Sequence, residues 1–226
     1  MEYDSIVLLT KPCPEAAKQP AGSRAFQLKR SIDVILGLAG FLVALPLMAL
    51  IAVLVRLDSP GPALYTQSRM GRGGCSFKMW KFRTMVDGAE AVLDQHLAEN
   101  PAAQAEWDLN QKLKHDPRVT RMGHILRKLS LDELPQFWNI LLGDMSLVGP
   151  RPITAGEIHH YADRFHWYTS VRPGLTGLWQ VSGRNNLGCA VRVAMDEYYV
   201  RNWSVWMDID ILLRTGWVVL RGDGAY

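Results

Sequence analysis

Two adjacent carboxylates, Asp132 and Glu133, are the residues of this chain whose types and spacing best suit catalysis. Ionised carboxylates repel each other, so a site keeps such a pair mainly where cations, a metal ion or a diphosphate with its metal share the space. Basic residues flank the pair or form a second cluster, and they are Arg127, Lys128, Arg151, Lys81 and Arg83. The pattern predicts a site for an anionic phosphate substrate.

The same carboxylates also fit a structural role at the start of a helix. Ser130 and Glu133 have the spacing of a capping box, in which the glutamate reaches back to the serine amide. Pro135 is better suited to a first helical turn than to a helix interior. The two roles are compatible, because a helix N-terminus also stabilises negative charge and would keep Asp132 ionised.

The longest apolar segment runs from Val34 to Val55 and contains 22 residues without a charge. As a helix it would extend about 33 Å, against a hydrocarbon core of about 30 Å, so it is predicted to lie in a membrane. Pro46 interrupts helical hydrogen bonding near its middle, which is compatible with a re-entrant helix–break–helix hairpin or with a tilted, kinked span. Arg30 before the segment and Arg56 after it both suit the cytoplasmic side, and this favours the hairpin.

The remaining sequence predicts how the chain is organised. Three regions are expected: a loose N-terminal tail at 1–28, the re-entrant membrane hairpin at 29–58, and a cytoplasmic interfacial catalytic domain at 59–226. In that domain, two short strands around Gly71–Gly74 predict a β-hairpin. Residues 87–113 should be helical in two pieces, because Pro101 interrupts them. The predicted fold class is α+β, mainly α.

Two later segments alternate charged or aromatic residues with apolar ones. Residues 117–128 fit either an interfacial helix at a membrane surface or an ordinary amphipathic helix. Trp203, Trp206 and Trp217 are candidate headgroup anchors, although aromatic residues on such helices more often belong to the core. The formal net charge of +3 is mild, which argues against a nucleic-acid partner and permits attraction to anionic lipid.

Four motifs resemble the bacterial sugar transferase family, the monotopic polyprenyl-phosphate phosphoglycosyl transferases of the exopolysaccharide-initiating type. These motifs are Lys78–Met85, Arg127–Asn139, Gly143–Pro152 and Arg172–Asn185. The resemblance runs from Lys29 to Leu220 and includes the apolar segment. The chain looks like a minimal catalytic form of the family, with a modest insertion near residues 87–115.

The resemblance implies transfer of hexose-1-phosphate from a UDP-hexose, either UDP-glucose or UDP-galactose, to undecaprenyl phosphate with release of UMP. This is the first step of exopolysaccharide assembly, at the cytoplasmic face of the bacterial inner membrane. Asp132 would be the nucleophile that forms a covalent aspartyl-phosphosugar intermediate, while Glu133 would position metal or phosphate. Both carboxylates would be ligands of Mg²⁺, on which members of this family depend.

Substrate-binding roles are implied by motif position. The residues concerned are Arg127, Arg151, Arg184, Asn185, Lys81 and Arg83. For Lys81 and Arg83 a basic strand face that meets lipid headgroups is an equally open interpretation. The implied partners are UDP-hexose, undecaprenyl phosphate and membrane lipid, and a homodimer is left open. The competing class is a non-catalytic, membrane-attached assembly protein of a glycan export system, in which nothing requires Asp132.

Overall fold

The computed structural model describes residues 24–110, 113–183 and 187–221 of the 226-residue chain. The helices are α1 (Arg24–Asp58), α2 (Ala89–Glu99), α3 (Pro101–Asn110), α4 (Arg121–Lys128), α5 (Gln136–Leu142), α6 (Phe165–Ser170), α7 (Leu178–Ser182), α8 (Cys189–Asn202) and α9 (Val205–Arg221). The strands are β1 (Leu64–Met70), β2 (Ser76–Phe82), β3 (Ser146–Val148) and β4 (Gly174–Thr176). Helices dominate, and these strands form two small sheets, which confirms the predicted α+β, mainly α class.

Helix α1 contains the predicted membrane segment. Residues Ala25–Asp58 have a mean hydropathy of 2.8 in their most apolar stretch, of which only 11% is buried within the protein. By length and composition the helix could cross a membrane, although one such helix is by itself a weak indication. It begins at Arg24, inside the range predicted as a tail, and Pro46 lies within it. The re-entrant hairpin is not confirmed and stays a prediction.

Both ends of α1 are bound to the same folded domain. Near its start, the buried Asp33 carboxylate accepts hydrogen bonds from the Ser146 hydroxyl and the Leu147 amide, each at 3.0 Å. At its end, Asp58 accepts a hydrogen bond from the Met122 amide at 2.9 Å. The long helix is therefore tied to β3 at one end and to α4 at the other.

The first sheet is the predicted β-hairpin. Strands β1 and β2 are antiparallel, with Leu64 opposite Phe82 and Met70 opposite Ser76. Gly73 and Gly74 in the connection have φ angles of 72° and 76°, a left-handed conformation that glycine adopts without strain. The hairpin is confirmed, and it carries the basic motif of β2 towards the carboxylate pair.

The second sheet was not predicted. Strands β3 and β4 are parallel, pairing Ser146 with Gly174 and Val148 with Thr176. A Cβ on Gly174 would overlap the backbone nitrogen of Gly149, so the close approach of the two segments requires glycine. The main hydrophobic core surrounds this sheet, and its buried members are Met79, Ile140, Met145, Leu147, Val148, Tyr199 and Ile211.

The remaining helices agree in part with their sequence patterns. Helices α2 and α3 break at Pro101 as predicted, because Asn100 caps α3 by accepting the Ala102 amide at 3.1 Å. In the C-terminal region Trp203 is half-buried and donates to Asp208 at 3.0 Å, so it makes an internal contact. Trp206 and Trp217 are exposed, as headgroup anchors would be.

Candidate active site

The carboxylate pair lies in a tight turn between α4 and α5. Helix α4 begins at the Thr120 cap, whose hydroxyl accepts the Gly123 amide at 3.0 Å. After α4, Ser130 adopts a left-handed conformation with φ 55°, and a single 3-10 turn follows at Leu131–Glu133. The capping-box prediction is wrong, because the Ser130 side chain does not cap this turn and only its carbonyl accepts the Glu133 amide.

Lys81 on β2 reaches both carboxylates from a distant part of the sequence. Its Nζ donates to Glu133 Oε1 at 2.7 Å and lies 3.5 Å from Asp132 Oδ2. The shorter contact is a charge-assisted hydrogen bond, whereas the longer one is mainly electrostatic. One fixed cation thus offsets part of the charge of two neighbouring anions.

Burial disfavours the ionised form of Asp132. Only 9% of the residue is exposed, and this desolvation is the main reason that its pKa is raised above the usual aspartate range. The charge of Lys81 opposes the shift, while the neighbouring Glu133 carboxylate adds to it. A further cation in this space would restore the ionised carboxylate, which suits a nucleophile that works beside a metal ion and a phosphate.

Asn139 on α5 holds the β2 backbone next to the carboxylates. It is fully buried, and its Oδ1 accepts the Trp80 amide at 3.0 Å. Its Nδ2 donates to the Lys78 carbonyl at 2.8 Å and to Asp144 Oδ2 at 3.1 Å. Because Trp80 immediately precedes Lys81, these bonds set where the Lys81 side chain begins.

Two further predicted residues, Arg127 and Arg83, lie next to Thr84: Arg127 contacts its side chain, and Arg83 precedes it in the chain. Arg127 donates through Nε to the Thr84 hydroxyl at 2.9 Å, and burial lowers its pKa while the Asp132 charge partly restores it. Arg83 is buried and donates to the carbonyls of Pro60 and Ser59. The Arg127 charge therefore acts on Asp132, the candidate nucleophile, whereas Arg83 binds the backbone of the residues that follow α1. Substrate contact by either residue stays a prediction.

Arg151 faces a cleft that opens beside the carboxylate pair. The predicted residues Lys81, Glu133 and Arg151 all line this cleft. The Arg151 guanidinium lies over the Trp179 ring, 5.9 Å from its centre, which favours a fixed orientation. Three charged residues from separate motifs therefore meet at one opening. Arg184 and Asn185, which were also predicted to bind substrate, lie outside the described residues.

Three further polar residues line this cleft and were not recognised in the sequence. They are Arg69 on β1, Gln136 at the start of α5 and Gln180 on α7. Within the described part of the chain, Arg69 Nε, Gln136 Nε2 and Gln180 Oε1 are buried atoms without a hydrogen-bond partner. Buried polar atoms without partners are costly, so a bound ligand would satisfy them. Gln136 and Gln180 lie inside two of the motifs that carry the family resemblance, which could have marked them, whereas Arg69 lies in none of these motifs.

The described residues contain no cluster of three or more histidine, cysteine or acidic side chains close enough to hold a metal ion. Asp132 and Glu133 are the two carboxylates of the candidate site that could bind a metal ion. Mg²⁺ commonly binds through one or two carboxylates together with substrate phosphates and water. Burial raises the pKa of Asp132, and a metal ion that arrives with a diphosphate would oppose this shift, so these side chains fit such a metal.

Behind the cleft, Asp196 on α8 is almost completely buried and receives the Tyr161 hydroxyl at 2.7 Å. Burial raises the pKa of Asp196 to about 7. This carboxyl group is therefore expected to titrate near neutral pH.

Asp196→Asn is expected to remove a pH dependence of stability. The folded protein holds the Asp196 proton up to about pH 7, whereas an unfolded aspartate loses it near about pH 4. Wild-type stability should therefore fall as the pH rises through this window, while asparagine still accepts the Tyr161 hydroxyl and does not titrate. The variant should gain roughly 1 to 3 kcal/mol over wild type between pH 5 and pH 8, measured by urea unfolding. Exposed Asp163→Asn is the control, and a difference independent of pH would contradict the prediction.

Comparison with known proteins identifies the family of this chain. A family model described as "Bacterial sugar transferase" matches residues 24–222. The chain belongs to the bacterial sugar transferase family. The motifs that carried the resemblance in the sequence all lie inside the matched residues, so the predicted family is confirmed.

Other bacterial sugar transferases match over most of this chain. An "Undecaprenyl-phosphate galactose phosphotransferase" of Salmonella typhimurium is 50% identical over 199 residues, which are 88% of this chain and 42% of that protein. The "Exopolysaccharide production protein ExoY" of Rhizobium meliloti is 46% identical over 95% of this chain and 94% of its own. A "UDP-glucose:undecaprenyl-phosphate glucose-1-phosphate transferase" of Caulobacter vibrioides is 43% identical over 88% and 72%. The match thus spans under half of the Salmonella protein but nearly all of ExoY.

Proposed function

We propose that this bacterial sugar transferase moves hexose-1-phosphate from a UDP-hexose to undecaprenyl phosphate and releases UMP, as the first step of exopolysaccharide assembly. The observation that carries the proposal is the buried Asp132 beside Glu133 and Lys81, at the edge of a cleft with further cationic residues. The names of the Salmonella and Caulobacter relatives, which specify galactose and glucose, support a UDP-hexose donor and this acceptor.

Asp132 is the proposed nucleophile. Its carboxylate oxygen attacks the phosphorus that carries the sugar, the bond from that phosphorus to the bridging oxygen breaks, and UMP leaves with the electron pair. The aspartyl-phosphosugar is an acyl phosphate, so an oxygen of undecaprenyl phosphate can displace the carboxylate in a second attack on the same phosphorus. Lys81, which already contacts both carboxylates, offsets the charge that gathers here. Arg151 is suited to bind the nucleotide phosphate through its guanidinium.

A magnesium ion is proposed as the cofactor. Asp132 and Glu133 would hold it together with the oxygens of the donor diphosphate, and it would supply Lewis-acid neutralisation of phosphate charge. The pKa of Asp132 supports this assignment, because burial raises it in spite of the charges of Lys81 and Arg127, and a further cation would favour the ionised carboxylate.

We also propose that α1 re-enters the membrane, which leaves both of its ends at the cytoplasmic face. Between Asp33 and Asp58 a straight helix would extend about 37 Å, more than the hydrocarbon core of about 30 Å. Yet Asp33 is bound to β3, the Phe137 ring packs directly on Gly40, and Asp58 is bound to α4. A single domain that contacts both halves of the helix cannot lie on both sides of a bilayer. Pro46 lies between these contacts, where a bend would be least costly.

Pro46→Leu is expected to move the amino terminus across the membrane in a fraction of molecules, because it restores a backbone donor and favours a straight helix. An N-terminal epitope tag on spheroplasts should be hidden from antibody in the wild type and partly exposed in the variant. Leu47→Ala, a neighbouring change within the same helix, is the control and should stay hidden. A wild-type tag that is accessible from outside would contradict the re-entrant arrangement.

The membrane-facing surface is proposed to extend onto α9. Trp206, Ile209, Leu213 and Trp217 are exposed at spacings that place them along one face of this helix. An apolar stripe bearing tryptophan is typical of a helix that lies at a lipid interface. Membrane lipid is therefore a proposed partner of the domain as well as of α1.

Release of UMP from UDP-glucose or UDP-galactose, dependent on undecaprenyl phosphate and Mg²⁺, tests the proposed function directly. Arg151→Ala is expected to raise the KM for the UDP-hexose by about 10- to 100-fold, because a charge-assisted phosphate contact is lost. Arg164→Ala is the matched control, since Arg164 is exposed and its one ion pair among the described residues is with Glu197 at 3.3 Å. Unchanged kinetics in Arg151→Ala would remove that residue from the donor site, and no UMP release from the wild type would overturn the proposed function.

A further inference from the structure

A second cleft lies where α1 enters the folded domain. It lies between the start of α1, strand β3 and the end of α8. Four cationic side chains line it, Lys29, Arg30, Arg172 and Arg201, together with the aromatic rings of Phe26 and Trp203. It shares no lining residue with the cleft beside Glu133. The transferase reaction as proposed assigns no role to this space.

Part of the positive charge has a structural explanation. Arg30 donates to the carbonyls of Ile140 at 2.7 Å and Leu141 at 3.0 Å, and Arg172 donates through Nε to that of Gly143 at 2.7 Å. These carbonyls end helix α5. A helix C-terminus carries about half a negative charge, which cannot balance two full positive charges. The terminal amino groups of Arg172 also remain for a ligand, since only its Nε bonds to protein within the described residues.

Nearby carboxylates make up only part of the difference, since Lys29 is paired with Asp208 at 2.6 Å and Arg201 with Glu197 at 3.0 Å. Within the described residues, neither Arg30 nor Arg172 has a carboxylate oxygen at ion-pair distance. Asp33, which also lines the cleft, accepts hydrogen bonds from Ser146 and Leu147, but these neutral donors leave its negative charge in place, so it offsets part of the charge of Arg30 and Arg172. Burial lowers the pKa of Arg172, and the charges of Arg30 and Arg72 lower it further, while Asp33 and Asp144 oppose the shift. Like-charged guanidinium groups held together in a partly buried place are typical of an anion site.

The position of the cleft indicates the class of anion. Its α1 residues end at Asp33, immediately before the uncharged membrane segment, so the cleft lies at the depth of lipid headgroups. Phe26 and Trp203 stack at 5.7 Å on one wall, which provides an apolar surface beside the cations. Leu28, Ile35 and Leu36 of α1 are exposed next to it and could contact acyl chains.

We propose that this cleft binds the phosphodiester headgroup of an anionic phospholipid, with Arg172 as the main phosphate ligand and Arg201 at the rim. A bound headgroup would link α1 to β3 and α8 and would fix how deeply α1 lies in the membrane. The ligand is a resident lipid rather than the acceptor of the reaction, because the cleft has no wall in common with the one beside Glu133. The inference does not depend on the proposed transferase activity.

Binding of dioctanoyl-phosphatidylglycerol to the full chain in detergent, measured by intrinsic tryptophan fluorescence and by native mass spectrometry, tests the proposal. Arg172→Gln keeps a donor for Gly143 but loses the charge, and the dissociation constant should rise about tenfold or more. Arg201→Gln should weaken binding severalfold. Because the Arg201 side chain is exposed, this variant is expected to fold, so it tests the lipid site even if Arg172→Gln does not fold. Arg214→Gln on α9, also exposed and paired within its own helix, is the matched control and should bind as the wild type does.

Ligand controls separate the sources of phosphate. Dioctanoyl-phosphatidylcholine and inorganic phosphate should each bind at least about tenfold more weakly than the phosphatidylglycerol, because one lacks net charge and the other lacks acyl chains. Equal binding of either, or wild-type affinity in both Arg172→Gln and Arg201→Gln, would overturn the proposal. Displacement of phosphatidylglycerol by stoichiometric farnesyl phosphate would also overturn it, by assigning the cleft to an acceptor-like phosphate.

Discussion

Asp132→Asn is expected to lower UMP release from UDP-hexose by about a thousandfold or more and to eliminate any sugar-phosphate adduct. An amide has nearly the same shape as a carboxylate but is a far poorer nucleophile and metal ligand. Stability should change little or even improve, because burial already disfavours the ionised carboxylate. Incubation with Mg²⁺ and the donor, without lipid acceptor, should give the wild type a burst of UMP no larger than the amount of enzyme.

Two further variants, a control and a second active-site change, complete this experiment. Asp163→Asn makes the same chemical change at an exposed position and should leave both the burst and the turnover unchanged. Glu133→Gln should also impair turnover severely, because it weakens the metal site and loses an ionic contact with Lys81. If Asp132→Asn forms the lipid-linked product at a comparable rate, Asp132 is not the nucleophile. An adduct on Glu133 would reverse the two roles.

Asn139→Ala is expected to destabilise the protein by roughly 3 to 5 kcal/mol. The change leaves the Trp80 amide and the Lys78 carbonyl without their buried partner and opens a cavity beside α5. Because these bonds anchor the strand that carries Lys81, the molecules that remain folded should also turn over more slowly. Urea unfolding followed by tryptophan fluorescence measures the first effect, and UMP release measures the second.

Asn202→Ala is the matched control for this prediction. Asn202 is exposed, and in the described part of the chain its side chain donates only to the Tyr198 carbonyl of its own helix, so its loss should cost less than about 0.5 kcal/mol. Equal unfolding free energies for the two variants would mean that the buried amide does not hold β2. A stable Asn139→Ala with normal turnover would show that Lys81 needs no such support.

Features that depend on neighbouring residues could be predicted from the sequence. The uncharged run before Val55 predicts a long apolar helix, Pro101 predicts the break between two helices, and the glycines after Met70 predict the β-hairpin; the structure has all three. Each follows from local backbone preferences and side-chain polarity. The family could also be recognised from the sequence, because its motifs are long and nearly continuous.

The conformation of the turn that carries Asp132 and Glu133 could not be predicted from its local sequence pattern. Ser130 and Glu133 have the spacing of a capping box, yet Ser130 is left-handed in the turn between α4 and α5 and its side chain does not cap it. Local propensity is weak compared with tertiary constraints. Arg83 is a similar case, since a basic residue in a site motif is used to hold the carbonyls that follow α1.

The sequence alone therefore determined the long apolar helix, the β-hairpin, the family and the carboxylate pair, because each of these depends on contiguous residues. Only the tertiary structure decided that Lys81 meets Glu133, that Arg69 and Gln180 share a cleft with Arg151, and that both halves of α1 contact one domain. These contacts join residues far apart in the chain. They arise from the packing of the core around β3 and β4, and no local pattern encodes which distant side chains that packing brings together.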